Sequence, residues 1–142
     1  MHQLENLYRQ IIMDHYKHPR NKGLKDDPTY QTRRIKNPSC GDDVTIQSKV
    51  VNGIVKDVRH DGSGCSICCS SASVLSQRMK DETVDDALAL VDDYLTMIIN
   101  KDKKLNEALD DALAYQGVRD FPARVKCATI AWKAFADTLK KG

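Results

Sequence analysis

From Leu4 onward, apolar residues recur at helical spacing. Leu4, Leu7, Tyr8, Ile11, Ile12 and His15 fall at i, i+3, i+4, i+7, i+8 and i+11, the stripe of an amphipathic helix. His18-Pro19-Arg20-Asn21 ends it, because the residue before a proline avoids the helical region. Residues 19 to about 31 read as an extended loop broken by Gly23 and Pro28. A loop of this length is often functional or held against the body of the domain. The period then changes to two. Val44, Ile46, Ser48 and Val50 alternate with Asp43, Thr45, Gln47 and Lys49, which predicts a strand with one buried face. Asn52-Gly53 follows, and Ile54 to Val58 resumes the strand pattern. Asn-Gly between two such runs is a hairpin signal, since both residues tolerate positive φ. Thr32 to Lys36 supplies a third strand.

Helical spacing returns after Gly64. Ser66 to Met79 is rich in serine and alanine around Val74, Leu75 and Met79. Thr83-Val84-Asp85-Asp86 resembles a capping box, with aspartate in place of glutamate. Ala87, Leu88, Val91, Leu95, Ile98 and Ile99 form the apolar face that follows. Leu105 to Ala114 reads as a shorter helix, and Gln116 to Asp120 as a break. Pro122 suits the first turn of a last helix running to about Leu139. On it Cys127, Ile130, Ala131, Ala134, Phe135 and Thr138 share one face. The expectation is a single α+β domain over residues 1–142, a small three-stranded antiparallel sheet packed with about five to six helices.

Composition narrows the classes. At 142 residues, 41% apolar and 30% charged, the chain can bury a core. No stretch has the length of a membrane span, and no basic segment leads into an apolar run at the N-terminus. A cytoplasmic setting is expected. The formal charge is only +2 but unevenly spread. Basic residues prevail from Lys17 to Lys36, and the charged residues from Asp81 to Asp93 are all acidic. These read as two solvated surfaces that can also guide a protein partner. There is no P-loop, dinucleotide fingerprint or Ser-His-Asp signature.

The five cysteines change the picture more. In a reducing compartment, thiols serve as metal ligands or nucleophiles more often than as disulfides. Pro38-Ser39-Cys40-Gly41-Asp42, Gly62-Ser63-Gly64-Cys65-Ser66 and Arg124-Val125-Lys126-Cys127-Ala128 each offer one thiol, and the first adds a carboxylate. Hairpin geometry brings Cys40 and Asp42, before the first hairpin strand, near Cys65, after the second. Gly62 and Gly64 let the backbone bend beside Cys65. A thiol at a helix N-terminus favours the thiolate. Cys127 points inward from the last helix, with Arg124 one turn earlier. Three sulfurs and one oxygen match the four ligands zinc prefers. Three thiolates and one carboxylate around Zn2+ leave a charge of about −2, which suits a neighbouring Arg124. A purely structural site usually has Cys or His in the fourth place, so Asp42 suggests a site that exchanges a ligand. In such an exchange a partner's ligand displaces Cys40, and the freed thiolate attacks an electrophilic sulfur. A closed structural zinc site, or three small core thiols, remain open on spacing alone. His15 and His18 read as a core-edge and a capping histidine rather than as ligands.

At these residues the chain resembles the SufU-type iron–sulfur cluster assembly proteins, relatives of the IscU scaffolds. The likeness runs through Leu7-Tyr8-Arg9, Ile12-Met13-Asp14-His15-Tyr16, Pro19-Arg20-Asn21, Asn37 to Asp42 and Gly62 to Ile67. It continues through Ala72-Ser73, Gly117-Val118, Phe121 to Arg124 and Lys126 to Thr129. IscU scaffolds carry a histidine before the third cysteine, where this chain has Lys126. Its segment between Cys65 and Cys127 is also longer, by part of the region from Asp92 to Gln116. Both features are similar to SufU. The resemblance implies zinc held by Cys40, Asp42, Cys65 and Cys127, with Arg124 beside them. It implies a zinc-dependent sulfurtransferase in which Cys40 accepts persulfide sulfur from a SufS-type, PLP-dependent cysteine desulfurase, whose histidine takes the place of Cys40 on zinc. A downstream Suf scaffold then receives the sulfur. The alternative is a scaffold that assembles a transient two-iron, two-sulfide (2Fe-2S) cluster on the same residues. Nucleic acid is not expected, since the Lys17–Lys36 loop holds one aromatic, Tyr30, for stacking. Cys68 and Cys69 depart from the family pattern. Small helix residues facing the core are the favoured reading, over a redox dithiol at Cys65-Ser66-Ile67-Cys68 or a substituted zinc ligand.

Overall fold

The structure is a computed structural model that describes residues 2–100 and 104–140, with side chains from residue 5 onward. Helix α1 (His2–Lys17) leads into the sheet β1 (Gln31–Asn37), β2 (Asp42–Val51) and β3 (Ile54–Ser63). Helices α2 (Ser66–Met79) and α3 (Val84–Ile99), a 3₁₀ segment (Glu107–Asp120) and helix α4 (Pro122–Lys140) follow. The sheet order is β1-β2-β3, antiparallel throughout. The expected α+β class and three strands are present, with five helical segments.

Two tight turns set the register. Asn52 and Gly53 have φ of 53° and 76°, the pair of positive values that matches the twist of a two-residue hairpin. At the opposite end of the sheet, residues 38–41 join β1 to β2. Cys40 N–H donates to the Asn37 carbonyl at 3.2 Å, Gly41 turns with φ 70°, and Asn37 pairs across the ladder with Asp42. Strand β3 runs on to Ser63, beyond the expected end at Val58, because Asp61, Gly62 and Ser63 keep pairing with Thr45, Val44 and Asp43. That extension delivers Cys65 beside Asp42.

Helix α2 is the hub against which α1, α4, β3 and the 3₁₀ segment pack. Ser70, Ser71, Ser73 and Ser76 are buried, and each has a partner. Ser71 Oγ donates to the Ala128 carbonyl (2.9 Å) and accepts from Trp132 Nε1 (3.0 Å). The Tyr115 hydroxyl donates to Ser70 Oγ (2.7 Å). Tyr94 stacks on Trp132 with centroids 3.8 Å apart, and its hydroxyl reaches the Ala128 carbonyl. Small residues on α2 let these larger rings come close, and their hydroxyls satisfy polar atoms that burial would otherwise strand.

Three expectations change. Leu105–Ala114 as a helix, with a break at Gln116–Asp120, gives way to a 3₁₀ segment over Glu107–Asp120 made of two short helical stretches. It is kinked at Asp110 (φ 55°, ψ −124°) and capped by Asn106, whose side chain accepts from Ala108 N–H at 3.0 Å. Tertiary contacts of Leu109, Ala112 and Tyr115 with the core set that geometry. The stripe of α1 is only partly buried, with Leu7 half exposed, while the Leu4 side chain lies outside the described residues. Residues 101–103 of the longer middle segment are also outside them. Thr83 does cap α3, accepting from Asp86 N–H at 3.1 Å. Among the described residues no helix is long and apolar enough to cross a membrane.

Candidate metal centre

Cys40, Asp42 and Cys127 converge. One ligand atom from each lies within 4.8 Å of the other two. Cys40 comes from the β1–β2 turn, Asp42 from the first residue of β2, and Cys127 from the inner face of α4. Cys65 falls outside this tightest group but adjoins it, its backbone N–H donating to Asp42 Oδ1 at 2.9 Å. The four residues singled out in the sequence therefore meet at one end of the sheet.

Asp42 is the centre of the arrangement and is buried. Its Oδ1 accepts from Cys65 N–H at 2.9 Å, and its Oδ2 accepts from Asn37 Nδ2 at 3.2 Å. Burial alone would raise its pKa. Hydrogen bonds from the Cys127 thiol, the Cys65 N–H, the Asn37 amide and the Cys65 thiol outweigh that, and the carboxyl is held below its ordinary value. Burial, then hydrogen bonding to Asp42, pushes the Cys127 thiol far up. Between Asp42 and Cys127 the proton thus stays on sulfur and the charge on oxygen.

Gly64 makes this contact possible. Its φ of 153° is one that side chains rarely adopt, and a Cβ there would collide with the Asp42 carboxylate. Arg124 supplies the cation. Its guanidinium Nη1 lies 4.0 Å from Cys40 Sγ, and hydrogen bonding to Cys127 and the charges of Cys65, Cys127 and Cys40 raise its pKa.

Sequence reasoning missed Asn37. It is buried at the end of β1, with Nδ2 between Asp42 Oδ2 and Cys127 Sγ (3.7 Å). Its place directly before Pro38-Ser39-Cys40 was the available signal. His15 is not near the centre. Its Nδ1 meets Ser73 Oγ at 2.8 Å and its Nε2 meets Asp111 Oδ2 at 3.0 Å, joining α1, α2 and the 3₁₀ segment. Cys68 is buried and Cys69 half-buried, and neither belongs to the converging group.

The donor set fits a tetrahedral metal. Zinc–sulfur bonds of about 2.3 Å place neighbouring ligand sulfurs roughly 3.8 Å apart, a separation the group reaches with small side-chain shifts. Soft thiolates and one carboxylate suit zinc or an iron–sulfur cluster. Fold and donor set together define a class: an α+β domain whose strand ends and last helix gather thiols and a carboxylate into one group able to hold metal.

The model of the NifU-like N-terminal domain matches residues 7–128, and the chain belongs to that family. It is 43% identical over 139 residues to the zinc-dependent sulfurtransferase SufU of Bacillus subtilis, covering 98% of this chain and 90% of that protein. It is 34% identical over 136 residues to the iron–sulfur cluster assembly scaffold protein IscU of Thermotoga maritima, covering 95% and 94%. A crystal structure from Fervidobacterium islandicum, of a protein assigned as an iron–sulfur cluster assembly scaffold for the SUF system, superposes with a TM-score of 0.81. Its identity is 28%, over 92% of this chain and 94% of that one.

Proposed function

We propose that the chain is a zinc-dependent sulfurtransferase of iron–sulfur cluster biogenesis. On this reading Cys40, Asp42, Cys65 and Cys127 hold zinc, and Cys40 takes persulfide sulfur from a SufS-type, PLP-dependent cysteine desulfurase in the cytoplasm. A downstream Suf scaffold receives it. The observation that carries the reading is the convergence of Cys40, Asp42 and Cys127, with Cys65 adjoining, under the Arg124 guanidinium. The Bacillus subtilis relative, named a zinc-dependent sulfurtransferase, supports it.

Zinc supplies the positive charge that holds the thiols as thiolates. The residues of the chain do the rest. Cys127 and Asp42 are buried anchors, whereas Cys40 is half-buried on a turn beyond Pro38. It can therefore leave the group without unfolding a strand or helix. Arg124 stabilises the Cys40 thiolate as it swings out. The thiolate attacks the terminal sulfur of the desulfurase Cys–S–SH. A new S–S bond forms on Cys40, the old one breaks, and the desulfurase cysteine departs as thiolate. The same donors can hold a 2Fe-2S cluster, and the IscU relative is named a scaffold. Metal and acid-labile sulfide analysis decides between the two. One zinc per chain without sulfide, and loss of desulfurase stimulation in Cys40→Ala, are expected; iron with matching sulfide overturns the relay.

A further inference from the structure

Cys65 belongs to the metal-binding group, yet it also begins helix α2. It is the N-cap residue, with φ −72° and ψ 166°, and its side chain makes no capping hydrogen bond. Ser66, Ile67 and Cys68 occupy the first three helical positions, which makes Cys68 the third. In a helix interior, side chains three apart keep their Cβ atoms about 5–6 Å apart, too far for the 3.5–4.5 Å of a disulfide. An N-cap differs. Its extended ψ turns the side chain over the first turn, which is how a capping serine reaches the amide of the third residue. Helix geometry places the two Cα atoms about 5 Å apart, inside the window for a disulfide. Cys69, one residue on, is engaged elsewhere, its Sγ donating to the Gly64 carbonyl at 3.7 Å. A cavity of about 240 Å3, bounded by Gly62–Gly64, Cys68 and Cys69, leaves room for the Cys68 side chain to turn.

We propose that Cys65 serves two mutually exclusive arrangements: a ligand in the metal centre, and half of a reversible Cys65–Cys68 disulfide formed by peroxide. The half-exposed Cys65 thiolate attacks one peroxide oxygen. An S–O bond forms, the O–O bond breaks and, with a proton, water leaves. The buried Cys68 thiol then attacks the sulfenic sulfur, forming S–S and releasing a second water. Two thiols lose two electrons to one peroxide. One sulfur cannot serve both bonds, so oxidation removes a ligand and shuts the centre until a thiol reductant restores it. The metal-ligand half of this statement rests on the function proposed above; the disulfide half does not.

The test treats the full-length, metal-loaded protein with hydrogen peroxide. Intact mass, differential thiol labelling and released zinc are read together. A loss of about 2 Da is expected, with Cys65 and Cys68 labelled only after reduction, zinc released in step, and both changes reversed by dithiothreitol. Cys68→Ala should lose the 2 Da change and stop at the Cys65 sulfenic acid, a gain of about 16 Da, whereas Cys69→Ala should behave as the parent. A different cysteine pair, or Cys68 still free when zinc has gone, overturns the proposal. A parent protein without zinc that still forms the Cys65–Cys68 bond would overturn only the metal reading.

Discussion

Asn37→Ala tests whether the centre is held by more than its ligands. Asn37 Nδ2 donates to Asp42 Oδ2 at 3.2 Å and points at Cys127 Sγ at 3.7 Å. Both contacts are buried, so water does not replace the lost donor. A hydrogen bond to a charged group contributes about 1.5–3 kcal/mol net. Removing an outer partner of a metal ligand costs about 10–100-fold in metal affinity. At about 1.4 kcal/mol per tenfold, that second figure is roughly 1.4–2.8 kcal/mol, and the two independent estimates overlap. Zinc affinity is measured at equilibrium by competition with a chromogenic chelator, and far-UV circular dichroism reports the fold. The Kd should rise about 10–100-fold with the spectrum unchanged. Asn37→Asp should be worse, because it sets a second carboxylate against Asp42. A Kd within about threefold of the parent, roughly 0.7 kcal/mol, would refute the claim that Asn37 orients the carboxylate and Cys127.

Three further outcomes are expected. Gly64→Ala should cost about 1–3 kcal/mol in backbone strain and lower zinc content, since the new Cβ meets Asp42. Gly117→Ala, with open space around its Cβ, serves as the tolerated control in the same denaturation and metal assays. Thr83→Ala should lose about 1 kcal/mol of unfolding free energy through its helix cap, with zinc content unchanged. His60 gives a pH dependence. Burial depresses its pKa, opposed by its Nε2–H donating to the Arg20 carbonyl at 2.7 Å. A depressed folded pKa stabilises the fold above the unfolded value of about 6.5, and that contribution is lost as pH falls through the folded value. The urea midpoint should therefore drop between about pH 7.5 and 5.5, and His60→Gln should flatten that drop. Equal losses in both proteins would exclude His60 as the cause.

Much of the architecture was legible because its causes are local. The i, i+3, i+4 stripe of α1, the alternation from Asp43 to Ile46, Asn52-Gly53 and the Thr83 cap each depend on residues within a turn or two of one another. Past Ile46 the alternation fails, with Gln47 buried and Val50 exposed beyond a register shift. The candidate ligands were legible for a related reason. A hairpin returns to its starting end, so Cys40, Asp42 and Cys65 had to be neighbours once β2 and β3 paired. What tertiary structure alone decided involves partners far apart in sequence. The kinked 3₁₀ path of Glu107–Asp120 follows from how Leu109, Ala112 and Tyr115 fit the core, not from their own periodicity. The serines of α2 look neutral in the sequence and become hydrogen-bond partners only when Trp132 and Tyr115 arrive. The Asn37 amide acquires its role only where β1, β2 and α4 meet. Local sequence sets which conformations are cheap, whereas the placement of buried polar groups depends on which distant atoms need a partner.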